Sequence, residues 1–534
     1  MNIFDVIKKR IVKFLKLEKI ENPNNERMTF ISNEDNLIRQ KLDENRVWYY
    51  GDSNELLNYY TNEELYGSFD EPIYNRNRRN YFWSLSSREV KIKRVHSGVP
   101  NAIISTLVNA IGGFKADTND VLIKSKIDKI IEKNDLLNVL NQQQLPLTLV
   151  DGWGAFKVNF DSSISDVPII QYYEAKNVNF VYKYNILIAI IYKDYYKYKD
   201  KDYVLLETRR IVNNNSVIEY ELFNLDNNDE VIQVELSTIP ELADLQNIEI
   251  PNFKHILGVP SKFFYDPLNK NYGRSIFDGK IDLFDDLDQI LSQDSQTVRV
   301  STPVEYYPVD LLERDKNGFV KMPTVYNRQY IKKDTLPNGD GDSNGDIQTT
   351  QPQLNFEQYS MCAKSKLDYI LTGILSPATI GIDVAKKDNA EAQREKEKIT
   401  LMTRNNIIDR ETKMLKELFS ICLSIQEYLE TGNITLQDYD ISVKFEEFAN
   451  PSFENQIQVL GPALIGGYLS TDQYVELLWG DKLNEVDKDR EKKWIEDKMQ
   501  ADNLTIGDFE DETTIGNNYS AQEEFNRNFE KTKK

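Results

Sequence analysis

Histidine and cysteine are almost missing from this chain. The two cysteines, Cys362 and Cys422, are too few for a disulfide framework or a cysteine zinc site, and they suit a reducing compartment. The two histidines, His96 and His255, exclude a histidine-rich metal centre, and any Ser-His-Asp arrangement must use one of them. Both read as packed or surface histidines. No G-x-x-x-x-G-K-[ST] string occurs, so a P-loop nucleotide site is unsupported. No apolar run approaches the roughly 20 residues that cross a bilayer; the 186–192 run is far too short. Basic charge is also in deficit. Lys and Arg number 65 against 86 Asp and Glu, a formal net charge of −21, which is the opposite of a surface that grips phosphates.

What is present is a long, ordinary globular composition. The 534 residues allow several domains, and 28% charged with 40% apolar residues is normal for a folded soluble protein. One stretch dominates. Residues 389–430 contain neither Pro nor Gly, with Asp388 or Asn389 placed to cap and Thr431-Gly432-Asn433 placed to stop a helix. Such a helix is roughly 60 Å long, several times the usual length. Its first part, 391–398, is nearly all charge. Its second carries Ile408, Leu415, Leu418, Phe419, Cys422, Ile425 and Leu429 at helical spacing. One end is therefore expected in a core and the other to project.

Elsewhere the pattern alternates between helix and strand. Residues 1–17 form a basic amphipathic pattern, with Ile3, Ile7, Ile11 and Phe14 opposite Lys8, Lys9, Arg10 and Lys13. It fits a terminal helix docked on protein, or one lying on a membrane surface. Residues 21–45 read as irregular; 54–64, 100–110 and 127–145 read as helices, the last ended by Pro146. From 153 to 235 the period becomes two, with strands at 155–160, 169–173, 178–182, 186–192, 203–208 and 216–222 in an antiparallel meander. A helix is expected from Gly273 to about Val298, with Phe277, Ile281, Phe284, Leu287 and Leu291 on one face. Asp278, Asp282, Asp285, Asp286, Asp288 and Asp294 occupy much of the rest, a solvated acidic face. Residues 301–353 form a small proline-punctuated module, 356–375 a returning helix, and 440–445 a strand rejoining the β region. Helices follow at 453–460, 470–478 and 487–499, before a polar 501–534 stretch that reads as disordered.

One string looks like a metal loop. Asp340, Asp342 and Asn344, with Gly345 sixth, Asp346 seventh and Ile347 eighth, match the start of an EF-hand loop, but the twelfth position is Gln351 rather than the bidentate Glu. A plain acidic loop is the competing reading. The carboxylates Asp282, Asp285 and Asp286 leave a metal-dependent nuclease open, although their helical spacing suits a solvated face better than converging ligands.

Five strings occur in a telling order: RVHSGVPNAIISTLVNAIGG at 94–113, GWGAFKV at 152–158, YGRSIF at 272–277, LTGILSPATIG at 371–381 and GGYLSTDQY at 466–474. Their order resembles the portal proteins of tailed bacteriophages, of the type found in phages of Gram-positive hosts. The resemblance covers about residues 45–500. It implies an α+β portal fold: a wing (1–270), a stem helix (271–300), a small α/β clip (301–353), a second stem helix (354–375), a tunnel loop (376–388), a returning wing with the long helix (389–450), a helical crown (451–500) and a disordered tail (501–534). It further implies a non-enzymatic ring of twelve subunits at one capsid vertex, with no cofactor. The ring would conduct double-stranded DNA during packaging and ejection. Its expected partners are the large terminase, the major capsid and scaffold proteins and a head-completion or adaptor protein, without stable membrane association. Its expected location is the virion, and the host cytoplasm during assembly. Within that reading, Asp278, Asp282, Asp285 and Asp286 would line an acidic bore that lets the duplex slide. Asp383, Lys386 and Lys387 would face DNA from the tunnel loop.

Overall fold

The structure, a computed structural model, describes residues 33–62, 81–85, 92–225, 232–266, 271–301, 304–308, 314–319, 329–333, 348–350, 355–380, 390–432, 439–446, 460, 464, 470–479 and 485–507. The architecture is mixed helix and sheet, in two compact units, Met1–Phe448 and Ala449–Lys534.

The first unit opens with α1 (Asn33–Tyr50) and α2 (Ser53–Thr61), the latter capped by Asp52, whose side chain accepts from the N–H groups of Asn54 and Glu55. The expectation that 21–45 is irregular is thus corrected from Asn33 onward. The buried stripe of α1 is Leu42, Asn45 and Trp48, and Asn45 bonds the carbonyl of Val150 at 3.1 Å. Tertiary contacts, not an apolar pattern, hold this helix. Next come α3 (Val99–Ile111), β1 (Phe114–Asp117) and α4 (Val121–Lys133). The expected single helix ending at Pro146 is instead broken and resumed. Asp135 turns left-handed (φ 47°), α5 (Leu136–Val139) runs into a π turn (Leu140–Gln144), and α6 (Leu145–Asp151) follows. Pro146 sits in the first turn of α6, where its missing N–H is no loss.

The β region is two sheets rather than one meander. The strands are β2 (Gly154–Asn159), β3 (Ile169–Glu174), β4 (Val178–Lys183), β5 (Ile186–Tyr198), β6 (Lys201–Val212), β7 (Asn215–Asn224), β8 (Ile232–Val234), β9 (Ile248–Ile250) and β10 (Gly258–Ser261). Strand β2 sits between β10 and β3, whereas β4 to β8 run in sequence order with β9 added beside β7, all antiparallel. The long hairpins turn on pairs of left-handed residues, Tyr184-Asn185, Lys199-Asp200 and Asn213-Asn214, as two-residue connections require. A buried ionic cluster joins the sheets. Glu207 of β6 pairs with Lys157 of β2 at 2.5 Å and with Arg209 at 2.5 Å, and Arg209 donates to the carbonyls of Val158 and Leu257.

Beyond the sheets lie α7 (Ile281–Val300), the strands β11 (Val304–Pro308), β12 (Gln329–Lys333) and β13 (Gln348–Thr350), α8 (Phe356–Leu371), the 42-residue α9 (Ala390–Thr431) and β14 (Ser442–Phe445). Strand β11 pairs parallel with β12 and antiparallel with β13. Helix α7 starts eight residues later than expected, because 276–280 is a turn with Gly279 left-handed at φ 78°. Helix α8 stops at Leu371, four residues early. Helix α9 matches its expected span and ends at Gly432, left-handed at φ 71°. Its burial reaches further than expected, from Thr400 and Ile407 through Leu415, Leu418, Phe419, Cys422 and Ile425; Leu429, placed on the apolar stripe, is 51% exposed. Strand β14 does not rejoin the main β region. It pairs with β1, Phe114 opposite Phe445.

In the second unit α10 (Thr471–Trp479) and α11 (Glu485–Gly507) pack through Tyr474, Val475 and Leu478 against Ile495, with Lys488 on Glu476 at 2.9 Å. Residues 501–507 continue α11, which corrects their assignment to a disordered tail. The expected helices at 1–17 and 453–459 lie outside the described residues.

Two of the strings singled out in the sequence meet face to face. A Cβ on Gly273 would stand 2.0 Å from the carbonyl oxygen of Gly152, and one on Gly152 would stand 2.8 Å from that of Gly273. Main chain crosses main chain there with no room for a side chain. Gly273→Ala is therefore expected to lower stability by about 3 kcal/mol or more. Gly279→Ala, which meets nothing within 4 Å, should cost only about 1–2 kcal/mol of left-handed strain. Denaturant midpoints check this; equal losses at both positions would contradict it.

Candidate functional site

The acidic residues of α7 are where the sequence places the chemistry, and the structure buries two of them, Asp285 and Asp288. Asp282, Asp285, Asp288 and Ser292 share one stripe, spaced at roughly one helical turn. Each receives a donor from the segment 81–97. Tyr81 donates its hydroxyl to Asp282 Oδ1 at 2.8 Å. The backbone N–H groups of Phe82 and Trp83 donate to Asp285 at 2.6 and 3.2 Å. Asp288 accepts from Trp83 Nε1 at 3.0 Å, from the N–H of Ser97 at 2.8 Å and from His96 Nδ1 at 2.8 Å. Ser292 Oγ accepts from the N–H of Val95 at 2.8 Å and donates to the Asp288 carbonyl at 2.7 Å. Because the Asp288 carboxylate can only accept, Nδ1 of His96 carries the proton.

This ladder lies beside an apolar one. Phe277, Phe284, Leu287 and Ile281 pack with Trp48, Tyr60, Trp83, Ile103, Leu107, Ile370 and Leu371 in one core. His96 packs at a tilt against Trp48 with ring centroids 5.6 Å apart, and Gly51 leaves the space that its Nε2 fills: a Cβ there would be 2.8 Å away. The guanidinium of Arg94 lies over Phe82 at 5.4 Å. Asp288 is fully buried and Asp285 is 3% exposed. Burial pushes the Asp285 carboxyl up to about 7, against the opposing pull of its two N–H donors and with Asp288 and Asp286 adding repulsion.

The remaining expected wall residues go elsewhere. Asp278 pairs with Lys41 of α1 at 2.8 Å and with Arg274 at 3.4 Å. Asp286 faces α8 and pairs with Lys366 at 2.6 Å. The four carboxylates named from sequence therefore do not converge, and Asp285 is corrected from a solvent-facing wall residue to a buried anchor. Asp288, expected on the solvated acidic face, is likewise buried, and Ser292 and Trp83, to which the sequence assigns no role, complete the ladder. The available signal was the spacing of polar residues in a second stripe beside the apolar one. Asp383, Lys386 and Lys387 of the expected tunnel loop, and Asp340, Asp342, Asn344 and Asp346 of the calcium-like string, lie outside the described residues. Among the described residues no three His, Cys, Asp or Glu side chains group to hold a metal, and no helix is long and apolar enough to cross a membrane.

No protein-family model matches the sequence, and no curated protein matches it. Among solved structures, a chain from the neck of an empty GTA (gene transfer agent) particle, computed with C6 symmetry, is similar over 71% of this chain and 89% of its own. The identity is 12% and the TM-score 0.37.

Asp285→Ala should leave two buried N–H groups without acceptors, at a cost of about 2–4 kcal/mol. The loss is expected to appear as protease cleavage within 81–97 and a red-shifted tryptophan emission from Trp83, before α9 unfolds. Unchanged cleavage and emission would show that Asp285 does not hold the segment.

Proposed function

We propose that the chain is a phage portal subunit: one wedge of a closed ring at a capsid vertex, a conduit for double-stranded DNA and a docking surface for the packaging motor and head-completion proteins. The sequence resemblance supports this reading, and one structural observation carries it. Helices α7 and α8 form a pair joined by a small three-stranded sheet, and each leaves large apolar side chains in water. Val298, Phe356, Met361 and Tyr369 are 53%, 62%, 73% and 62% exposed, on helices whose inner faces already fill a core. Taking large apolar side chains such as these out of water favours a protein contact. Neighbouring copies are the occupant this reading assigns to them. The small sheet between the helices then takes the place of the clip, and α9 that of the long wing helix.

A net charge of −21 suits a conduit, since few phosphate contacts mean little counterion release and a weak hold on the duplex. With Asp285 buried, the acidic wall of the proposed bore falls to exposed carboxylates such as Asp282, Glu357 and Asp368. Lys386 and Lys387 remain the proposed transient phosphate contacts. The nuclease alternative has no geometric support, because Asp285 is buried against Phe82 and Trp83 while Asp286 is paired with Lys366. The membrane-scaffold alternative rests on residues 1–17, outside the described chain.

Electron microscopy of the purified full chain is expected to show rings with a central hole. Met361→Glu combined with Tyr369→Glu should give smaller species at concentrations where the wild type forms rings, with helical content unchanged. A wild-type protein that stays a single subunit under every assembly condition would contradict the proposal.

A further inference from the structure

Halfway along α9 a carboxyl group is buried with no ion-pair partner among the described residues. Glu411 is 1% exposed, and its one hydrogen-bond partner among the described residues is Gln144, the last residue of the π turn, whose Nε2 donates to Glu411 Oε2 at 3.1 Å. The same nitrogen donates to Ser261 Oγ at 2.8 Å. Ser261 in turn meets Thr148 Oγ1 at 2.9 Å, and Thr148 meets the Tyr172 hydroxyl at 2.9 Å. Two side-chain atoms of this otherwise joined cluster have no partner: Glu411 Oε1 and Gln144 Oε1. They are the second oxygens of an acid and an amide already bonded through their other atoms.

An ionised carboxylate cannot repair this, because both orphans are acceptors. One proton can. Placed on Glu411 Oε1 it would supply the donor that Gln144 Oε1 lacks, and the two side chains would close into an acid–amide ring in which every carboxyl and amide oxygen is used. The charged groups on the elements packed around α9 have other partners. Lys157 of β2 is on Glu207, Asp151 of α6 is on Arg46, and Lys262 beyond β10 is on the Tyr182 hydroxyl. Arg404, two turns earlier on α9, binds the carbonyls of Ala110 and Glu446. Arg410, beside Glu411 on α9, repels Lys262 and helps hold that lysine below its usual range, and Tyr172 is held neutral by burial.

We propose that Glu411 is a neutral acid closed onto Gln144 by its own proton, and that removing this proton loosens the middle of α9 from the π turn and β10. The device rests on the subunit alone and is independent of the ring reading. Burial raises the Glu411 carboxyl from 4.5 to about 8. With the folded value above the unfolded one, the stabilisation is complete below 4.5 and is lost as pH rises through about 8. A π turn at this point fits a position where helix regularity yields to a particular contact.

Glu411→Gln tests the proposal, because its amide supplies a donor at every pH. Denaturant unfolding of the full chain between about pH 6 and about pH 9 should show the wild type losing at least tenfold in its folding equilibrium relative to E411Q. Taking the ratio removes groups common to both, Asp285 included. Infrared spectra of protein carrying ¹³C-labelled glutamate should show a protonated-carboxyl band near neutral pH that E411Q lacks and Glu417→Gln keeps. Parallel stability curves, or a band that persists in E411Q, would overturn the proposal. Should E411Q not fold, absence of the band from the wild type at about pH 6 overturns it equally.

Discussion

Everything around α7 depends on carboxylates that have been taken out of water and given backbone donors. A buried ionised group costs several kcal/mol unless hydrogen bonds replace its hydration. Asp288, fully buried, has three such bonds, and Asp285 has two. The arrangement works in both directions. The N–H groups of Phe82, Trp83, Val95 and Ser97 find their acceptors on α7. Helix α7 in turn keeps its polar stripe because that segment covers it. Lys280 then ties the base of α7 to the last carbonyls of α8, Tyr369 and Thr372, at 2.8 and 3.1 Å.

Long, strongly patterned elements were legible in the sequence, and contacts between distant segments were not. Six strands and the span of α9 follow from periodicity and from the Pro-free, Gly-free run. The pairing of β1 with β14 joins residues more than 300 positions apart, and a four-residue strand such as Phe114–Asp117 has too little pattern to announce it. The start of α7 was misread because 273–280 carries the right apolar spacing while Gly279 is left-handed. Helix α1 was missed because one of its three buried positions is Asn45. The acidic stripe illustrates the limit best. Spacing says which residues share a face; it cannot say whether that face meets solvent or a strand of main-chain N–H groups.

The acids of this chain therefore fall into two populations. Among the described residues most are exposed and contribute to the negative field of a protein at −21. A few, Asp285 and Glu411 among them, are buried and drawn toward neutrality, with their carboxyls raised to about 7 and about 8. The second population is structural and placed where elements cross: 81–97 on α7, and the π turn on α9. The close passage of Gly152 over Gly273 and the Lys157–Glu207–Arg209 cluster serve the same end, fixing the relation of helices and sheets at a few specified points rather than by apolar burial alone.

The most direct measurement of the central claim is amide hydrogen exchange on the full chain, followed in peptides covering 81–85 and 92–97. If α7 carboxylates hold this segment, the amides of Phe82, Trp83, Val95 and Ser97 exchange as slowly as those in the core of α7. Exchange of these amides at the rate of free chain, while α7 itself remains protected, would contradict the account.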